Sequence, residues 1–140
     1  MSIEPKDFLA TATKLHSSEG NTEADLRSAA SRAYYAAIHA SQHCLPFDLA
    51  PSASELRAKG SHQAVIDAVD TWAKAVRTGR MEAQMLARKL RRLRDIRKTA
   101  DYQLDIDFMI SESQFALKDA STVLDEAAHA VRKLAQGSNP

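Results

Sequence analysis

Residues 81–102 read MEAQMLARKLRRLRDIRKTADY, and the spacing of the apolar side chains in this stretch decides the fold. Leu86, Leu90, Leu93 and Ala100 stand four, three and seven residues apart, which at about 100° per residue gathers them into one narrow sector of a helix. The spacing predicts a helix from Met81 to Ala100 with one buried face. Arg97 falls inside the same sector. A charge aimed at a buried face is costly unless it is paired or used, and Asp101, one turn on, can hold the guanidinium in a fixed orientation. Tyr102 follows directly, so the segment around Arg97 is where chemistry is sought first.

Outward from this helix the chain keeps the same character. Four glycines, four prolines, abundant alanine and no strand-like alternation of β-branched residues favour helix over sheet throughout, and the fold class is all-α. A first helix is expected from about Glu4 to Ser17, with Pro5 in its first turn and Phe8, Leu9, Ala12 and Leu15 on one face. Glu19, Gly20 and Asn21 end it. Thr22 is a good N-cap, with Asp25 in the capping-box position, for a second helix reaching about Cys44 ahead of Pro46. Its stripe of Ala29, Ala33, Ala36, Ala37, Ala40 and Cys44 allows close approach by another helix, and Tyr34, Ile38 and Leu45 form a second apolar edge, so this helix is central.

Leu45 to Gly60 is the longest irregular connection, with room for a single helical turn over Ser54 to Lys59. Ser61 is read as the cap of a helix to about Arg77 whose Val65, Ile66, Val69, Trp72, Ala73 and Val76 face the core. Thr78 and Gly79 lead into the arginine helix. After an extended piece from Leu104 to Ile110, Ser111 with Gln114 is read as the capping box of a last helix, with Phe115, Ala116, Val123, Leu124, Ala127, Val131 and Leu134 as its buried stripe. Short connections between long helices imply an up-and-down bundle of about five helices, one domain over residues 1–136 with a frayed tail at 137–140.

The totals narrow the function classes. Nineteen basic against eighteen acidic residues give a net charge of +1, so nothing global points to a polyanion, and only local placement of charge can. The single cysteine, Cys44, allows no intramolecular disulfide and reads as packing; Trp72 reads as core. There is no apolar run of about 18 residues and no signal-peptide pattern, so the expectation is a cytoplasmic protein without membrane contact. The five histidines, His16, His39, His43, His62 and His129, form no recognisable ligand set with carboxylates, and neither a metal nor a cofactor is expected.

Two constellations carry chemistry. Arg32, Tyr35, His39 and His43, begun by Ser28, recur at three or four residues and line one face of the second helix. A solvated polar face explains them. So does a site, since a cation, a phenol and an imidazole titrating near neutrality suit phosphate recognition or proton transfer. The second constellation is Arg97, Asp101 and Tyr102, either a structural ion pair or a functional centre. Around it Arg88, Lys89, Arg91, Arg92, Arg94 and Lys98 scatter over most of the helix circumference; a solvated surface accounts for many of them, and together they would attract a polyanion such as RNA.

Taken together, SRAYYAAIHAS in the second helix and LRRLRDIRKTADYQLD later in the chain resemble the HEPN domain in its compact bacterial and archaeal branch. The resemblance runs from about Glu23 to Arg132. Helix order, a histidine opening the third helix at His62, and Ala-Asp-Tyr after an arginine match; the loop from Leu45 to Gly60 is longer than usual. The resemblance implies a dimerising helical bundle of toxin–antitoxin or phage-defence systems, often beside a small nucleotidyltransferase partner. Many members are metal-independent ribonucleases whose motif, an arginine followed four to six residues later by a histidine, lines a cleft at the dimer interface.

In this chain Arg97 matches the arginine, and Tyr102 stands where the histidine would. Cleavage of RNA through its 2′-hydroxyl needs a base and an acid, and histidine serves as both near neutrality. Tyrosine, with an ordinary pKa of about 10, is a poor base at pH 7 but a competent donor. His39 is therefore the expected source of imidazole, with Arg97 and Tyr102 completing the catalytic set and Arg32, Tyr35, Asp101, Arg94 and His62 in binding and support. The competing expectation is a non-catalytic HEPN module that binds RNA, a nucleotide or a partner protein, with Arg97–Asp101 a structural pair; a fully buried pair of that kind would cost about 3–5 kcal/mol to break. A plain structural bundle would explain the helices but not Arg97.

Overall fold

The computed structural model describes residues 2–75 and 80–137, and the side chains of all of these except Phe47 and residues 132–137. Val76, the turn at Thr78 and Gly79, the Leu134 side chain and the tail from residue 138 onward lie outside the described residues. The described chain forms six α-helices, α1 (Pro5–Ser17), α2 (Glu23–Cys44), α3 (Ala53–Lys59), α4 (Ser61–Ala75), α5 (Arg80–Tyr102) and α6 (Ile110–Gly137), with a 3-10 turn at Phe47–Leu49. The fold class is all-α, as the sequence implied, but the helices number six rather than about five. The addition is α3, which is more than a turn because Ser52 and Glu55 close a capping box at its start.

Capping decides the other boundaries as well. Thr22 and Asp25 exchange the expected reciprocal bonds at the head of α2. Ser61 and Ser111 do not cap. The Gly60 carbonyl accepts from the Ala64 amide, so Gly60, at φ +83°, occupies the cap position and Ser61 is already helical. Likewise α6 begins at Ile110, one residue before Ser111. The segment between α5 and α6 is irregular rather than extended, and Phe108 anchors it in the core.

Helix α2 is the axis of the bundle, packed against α1, α4, α5 and α6. Its stripe of Ala29, Ala33, Ala36, Ala37, Ala40 and Cys44 is buried, as are Tyr34 and Ile38, so backbones approach closely on one side while larger side chains fill the other. Burial pushes the Cys44 thiol up to about 12, which suits packing and not nucleophilic attack. Trp72 is buried too. On α6 the buried line runs through Ser113, Ala116, Ala120, Val123, Ala127 and Ala130, and this shifts the expected stripe: Phe115 and Val131 are exposed, and Leu124 is half-buried. Phe115 is covered by the Arg92 guanidinium at 4.8 Å, which Asp119 holds through two hydrogen bonds of 2.9 and 2.8 Å. Among the described residues no helix is long and apolar enough to cross a membrane.

Candidate functional site

The end of α5 is tied down from α2. Arg27, its side chain only 11% exposed, donates from Nη1 to the carbonyls of Thr99, Ala100 and Gln103 at 3.1, 2.8 and 3.2 Å, and from Nη2 to Glu23 and the Ile106 carbonyl. The last carbonyls of a helix have no partners inside it, so one guanidinium satisfies them and pins the following loop. Glu23 in turn accepts the Phe108 amide; that bond, set against some desolvation and joined by Arg27, holds the carboxyl below its usual range.

Because α5 continues to Tyr102, Arg97, Asp101 and Tyr102 share one helical frame. Arg97 Nε stands 2.8 Å from Asp101 Oδ2, an ion pair in which the N–H direction misses the oxygen, leaving Nε without a true hydrogen bond. The buried Ser31 hydroxyl donates to the same carboxylate at 3.2 Å. Arg97 Nη2 donates to the hydroxyls of Tyr35 at 3.5 Å and Tyr102 at 3.4 Å. Its guanidinium carbon lies 5.9, 5.9 and 5.2 Å from the ring centres of Tyr34, Tyr35 and Tyr102. Burial works against the charge, but Tyr35, Asp101 and Tyr102 more than offset it and raise the pKa of Arg97. Nη1 makes no hydrogen bond among the described residues, so a pair of N–H donors is left for a ligand.

A pocket of about 340 Å³ opens between the α3–α4 junction and α5, lined by Tyr34, Lys59, Gly60, Ser61, His62, Gln63, Arg94, Arg97 and Lys98. The amides of Ser61, His62 and Gln63 take no carbonyl or side-chain acceptor among the described residues, so the pocket wall carries the positive end of α4 as well as cationic side chains. Arg94 donates to Gln63 Oε1 at 3.1 Å, Gln63 to Asp67 at 2.8 Å, and Lys59 pairs with Asp67 at 3.1 Å, a chain that fixes the pocket floor. The Gln63 bond leads in holding the Asp67 carboxyl low. Burial raises the Tyr34 phenol to about 12 against the pull of Arg97 and Arg94. His62 stands edge-on to the rings of Tyr34 and Tyr35, at 5.3 and 5.4 Å; burial, Arg97 and His39 all lower its pKa, so its imidazole is neutral at pH 7.

The structure thus gathers Arg97, Asp101, Tyr102, Tyr35, Arg94 and His62. Arg32 is exposed, its guanidinium 5.6 Å from the Tyr35 ring centre, and it does not line this pocket. His39 is stacked on Phe8 at 5.5 Å and makes no hydrogen bond or ring contact with Arg97 among the described residues. Arg27, Ser31, Lys59 and Gln63 went unread in the sequence. For Ser31 a signal existed, a hydroxyl bordering the alanine stripe of α2; Arg27 carried none, since its partners lie more than seventy residues away on α5, and neither did Lys59 and Gln63, which only the junction of α3 and α4 brings to the pocket beside α5. Among the described residues no three His, Cys, Asp or Glu side chains gather into a metal-binding group. No family model matches the chain, and neither a curated protein nor a solved structure matches it significantly.

Proposed function

We propose that the chain is an up-and-down, HEPN-like helical protein of a toxin–antitoxin or defence system, a toxin-like ribonuclease that cleaves RNA as a homodimer without a metal. One observation carries the reading: Arg97 faces a cationic pocket with Nη1 uncommitted, held rigid by Asp101 and three tyrosine rings. A preorganised guanidinium with two free N–H groups suits the non-bridging oxygens of a phosphodiester and the charge that grows on them in the transition state. In the reaction the 2′-oxygen loses its proton and bonds to phosphorus, the bond to the 5′-oxygen breaks, and the products are a cyclic 2′,3′-phosphate and a 5′-hydroxyl. Tyr102, at hydrogen-bond distance from Arg97, is a donor to the phosphate or the leaving oxygen.

A second reading, a non-catalytic module that binds RNA, a nucleotide or a nucleotidyltransferase-type partner, is favoured by Tyr102 itself, which stands in place of the motif histidine and is 68% exposed. In that reading the Tyr102 hydroxyl is an acceptor for a partner's chemistry. Controlled expression of the wild-type chain and Arg97→Ala, with growth followed and RNA ends mapped, separates the two. Arrest with discrete new ends from the wild type alone supports the ribonuclease. Growth and RNA unaffected by either chain overturns it and leaves the binding module.

A further inference from the structure

We infer that His62, at the head of α4, is the general base of this site: its imidazole takes the proton of the attacking 2′-hydroxyl while Arg97 holds the phosphate beside it. The inference rests on the ribonuclease reading and supplies what the arginine segment lacks, an imidazole within the pocket of Arg97. His62 and Arg97 line one cavity large enough for a phosphate and its sugar. The ring is set edge-on between Tyr34 and Tyr35, which fixes its plane without using its nitrogens, and neither nitrogen has a hydrogen-bond partner among the described residues. A base must reach its proton with a free lone pair, and His62 has one. His39, by contrast, spends a face of its ring on Phe8.

The charges around His62 act in the same direction. From α5 Arg97 and from α2 His39 bear on it directly; the rings of Tyr34 and Tyr35 on α2 pack against it, and Arg94 and Lys98 of α5 with Lys59 of α3 line the same pocket. The nearest carboxylate on its own helix, Asp67, is occupied by Gln63 and Lys59. Cations and burial keep the resting imidazole uncharged, the state a base needs. Once the 2′-oxygen has bonded to phosphorus, the imidazolium beside Arg97 is unfavourable, so the proton passes on to the departing 5′-oxygen or to water and the neutral ring is restored.

The test uses the purified full-length chain, a transcribed RNA substrate in single-turnover cleavage, and a pH series from 5 to 8. Wild type, Arg97→Ala, His62→Gln, His62→Ala, His39→Gln and the remote control His129→Gln are compared, each checked for its helical content. The expected result is a wild-type rate that rises with pH through an imidazole titration, a His129→Gln profile matching it, and a loss of about 10²-fold or more with no such rise in His62→Gln. Added imidazole recovers part of the rate in folded His62→Ala, which a structural role would not allow. Retention of rate and pH profile by His62→Gln overturns the assignment while the ribonuclease reading stands on the loss in Arg97→Ala. Disappearance of the imidazole titration in His39→Gln alone moves the base to His39. A wild type that cleaves no RNA overturns both.

Discussion

Arg97 retains its charge at 18% side-chain exposure because Asp101 and the rings of Tyr34, Tyr35 and Tyr102 share it. Its partner is more open: Asp101 is 28% exposed and keeps the Ser31 hydroxyl as a donor when the guanidinium is gone. Arg97→Ala is therefore expected to lower the unfolding free energy in urea by about 1–2 kcal/mol, well below the 3–5 kcal/mol scale of a fully buried pair; a loss on that larger scale would make Arg97–Asp101 chiefly structural. His62 gives a second residue-scale expectation. Its folded pKa lies below the unfolded value of about 6.5, so as pH falls through 6.5 the unfolded chain takes up a proton that the folded chain refuses, and stability drops. Denaturation of wild type and His62→Gln at pH 7.5 and 5.5 should show wild type losing more on acidification, the other histidines being common to both; equal losses would place His62 in a more open setting. The sequence exposed Arg97 and Asp101 because helical periodicity is visible in one dimension. It could not show that Tyr34, read only as an apolar edge, also walls the guanidinium, nor that His62 rather than His39 enters its pocket, because both depend on how α2 and α4 are set against α5.

At the scale of elements, the site depends on how α5 ends. Helix extent was well legible for α1, α2 and the body of α5, where apolar spacing and the Thr22–Asp25 box carry the signal. The start of α4 lies one residue, and that of α6 two residues, ahead of where a serine cap would put it, since serine next to a helix is a cap only if the preceding residue has not already taken that position, and Gly60 with its positive φ had. The largest omission was Arg27. A charged residue in the second turn of α2 looks like surface until α5 arrives to offer three carbonyls, a contact some seventy residues distant in sequence. Arg27→Ala strands the Ala100 carbonyl, leaves the Thr99 and Gln103 carbonyls with one backbone donor each and frees the Ile106 loop, so a loss of about 1–3 kcal/mol is expected, together with faster amide hydrogen exchange confined first to residues 99–109. Exchange rising uniformly over all helices would mean instead that Arg27 supports the bundle as a whole and not this terminus.

For the whole molecule, the periodicity of each helix told which face is inward, while the pairing of faces came from side-chain size: an α2 built of alanine has neighbours on nearly every side, and everything else arranges around it. What that arrangement leaves over is a surface at one end. Leu104, Ile106, Met109, Ile110 and Phe115 are 75%, 49%, 59%, 55% and 44% exposed, a density of large apolar groups that a solitary chain rarely presents to water. Tyr102, two residues before Leu104, is itself exposed and lies within hydrogen-bond distance of Arg97, so a second copy seated on this segment would bring two sites together, as the proposed homodimeric ribonuclease requires. The chain is expected to sediment at twice its own mass, and the double substitution Leu104→Asp with Ile110→Asp, both at exposed positions and hence mild for folding, is expected to halve that mass and abolish RNA cleavage together. A dimer that survives the double substitution puts the interface elsewhere, and a monomeric wild type that still cleaves RNA makes each chain's pocket of Arg97 and His62 complete by itself.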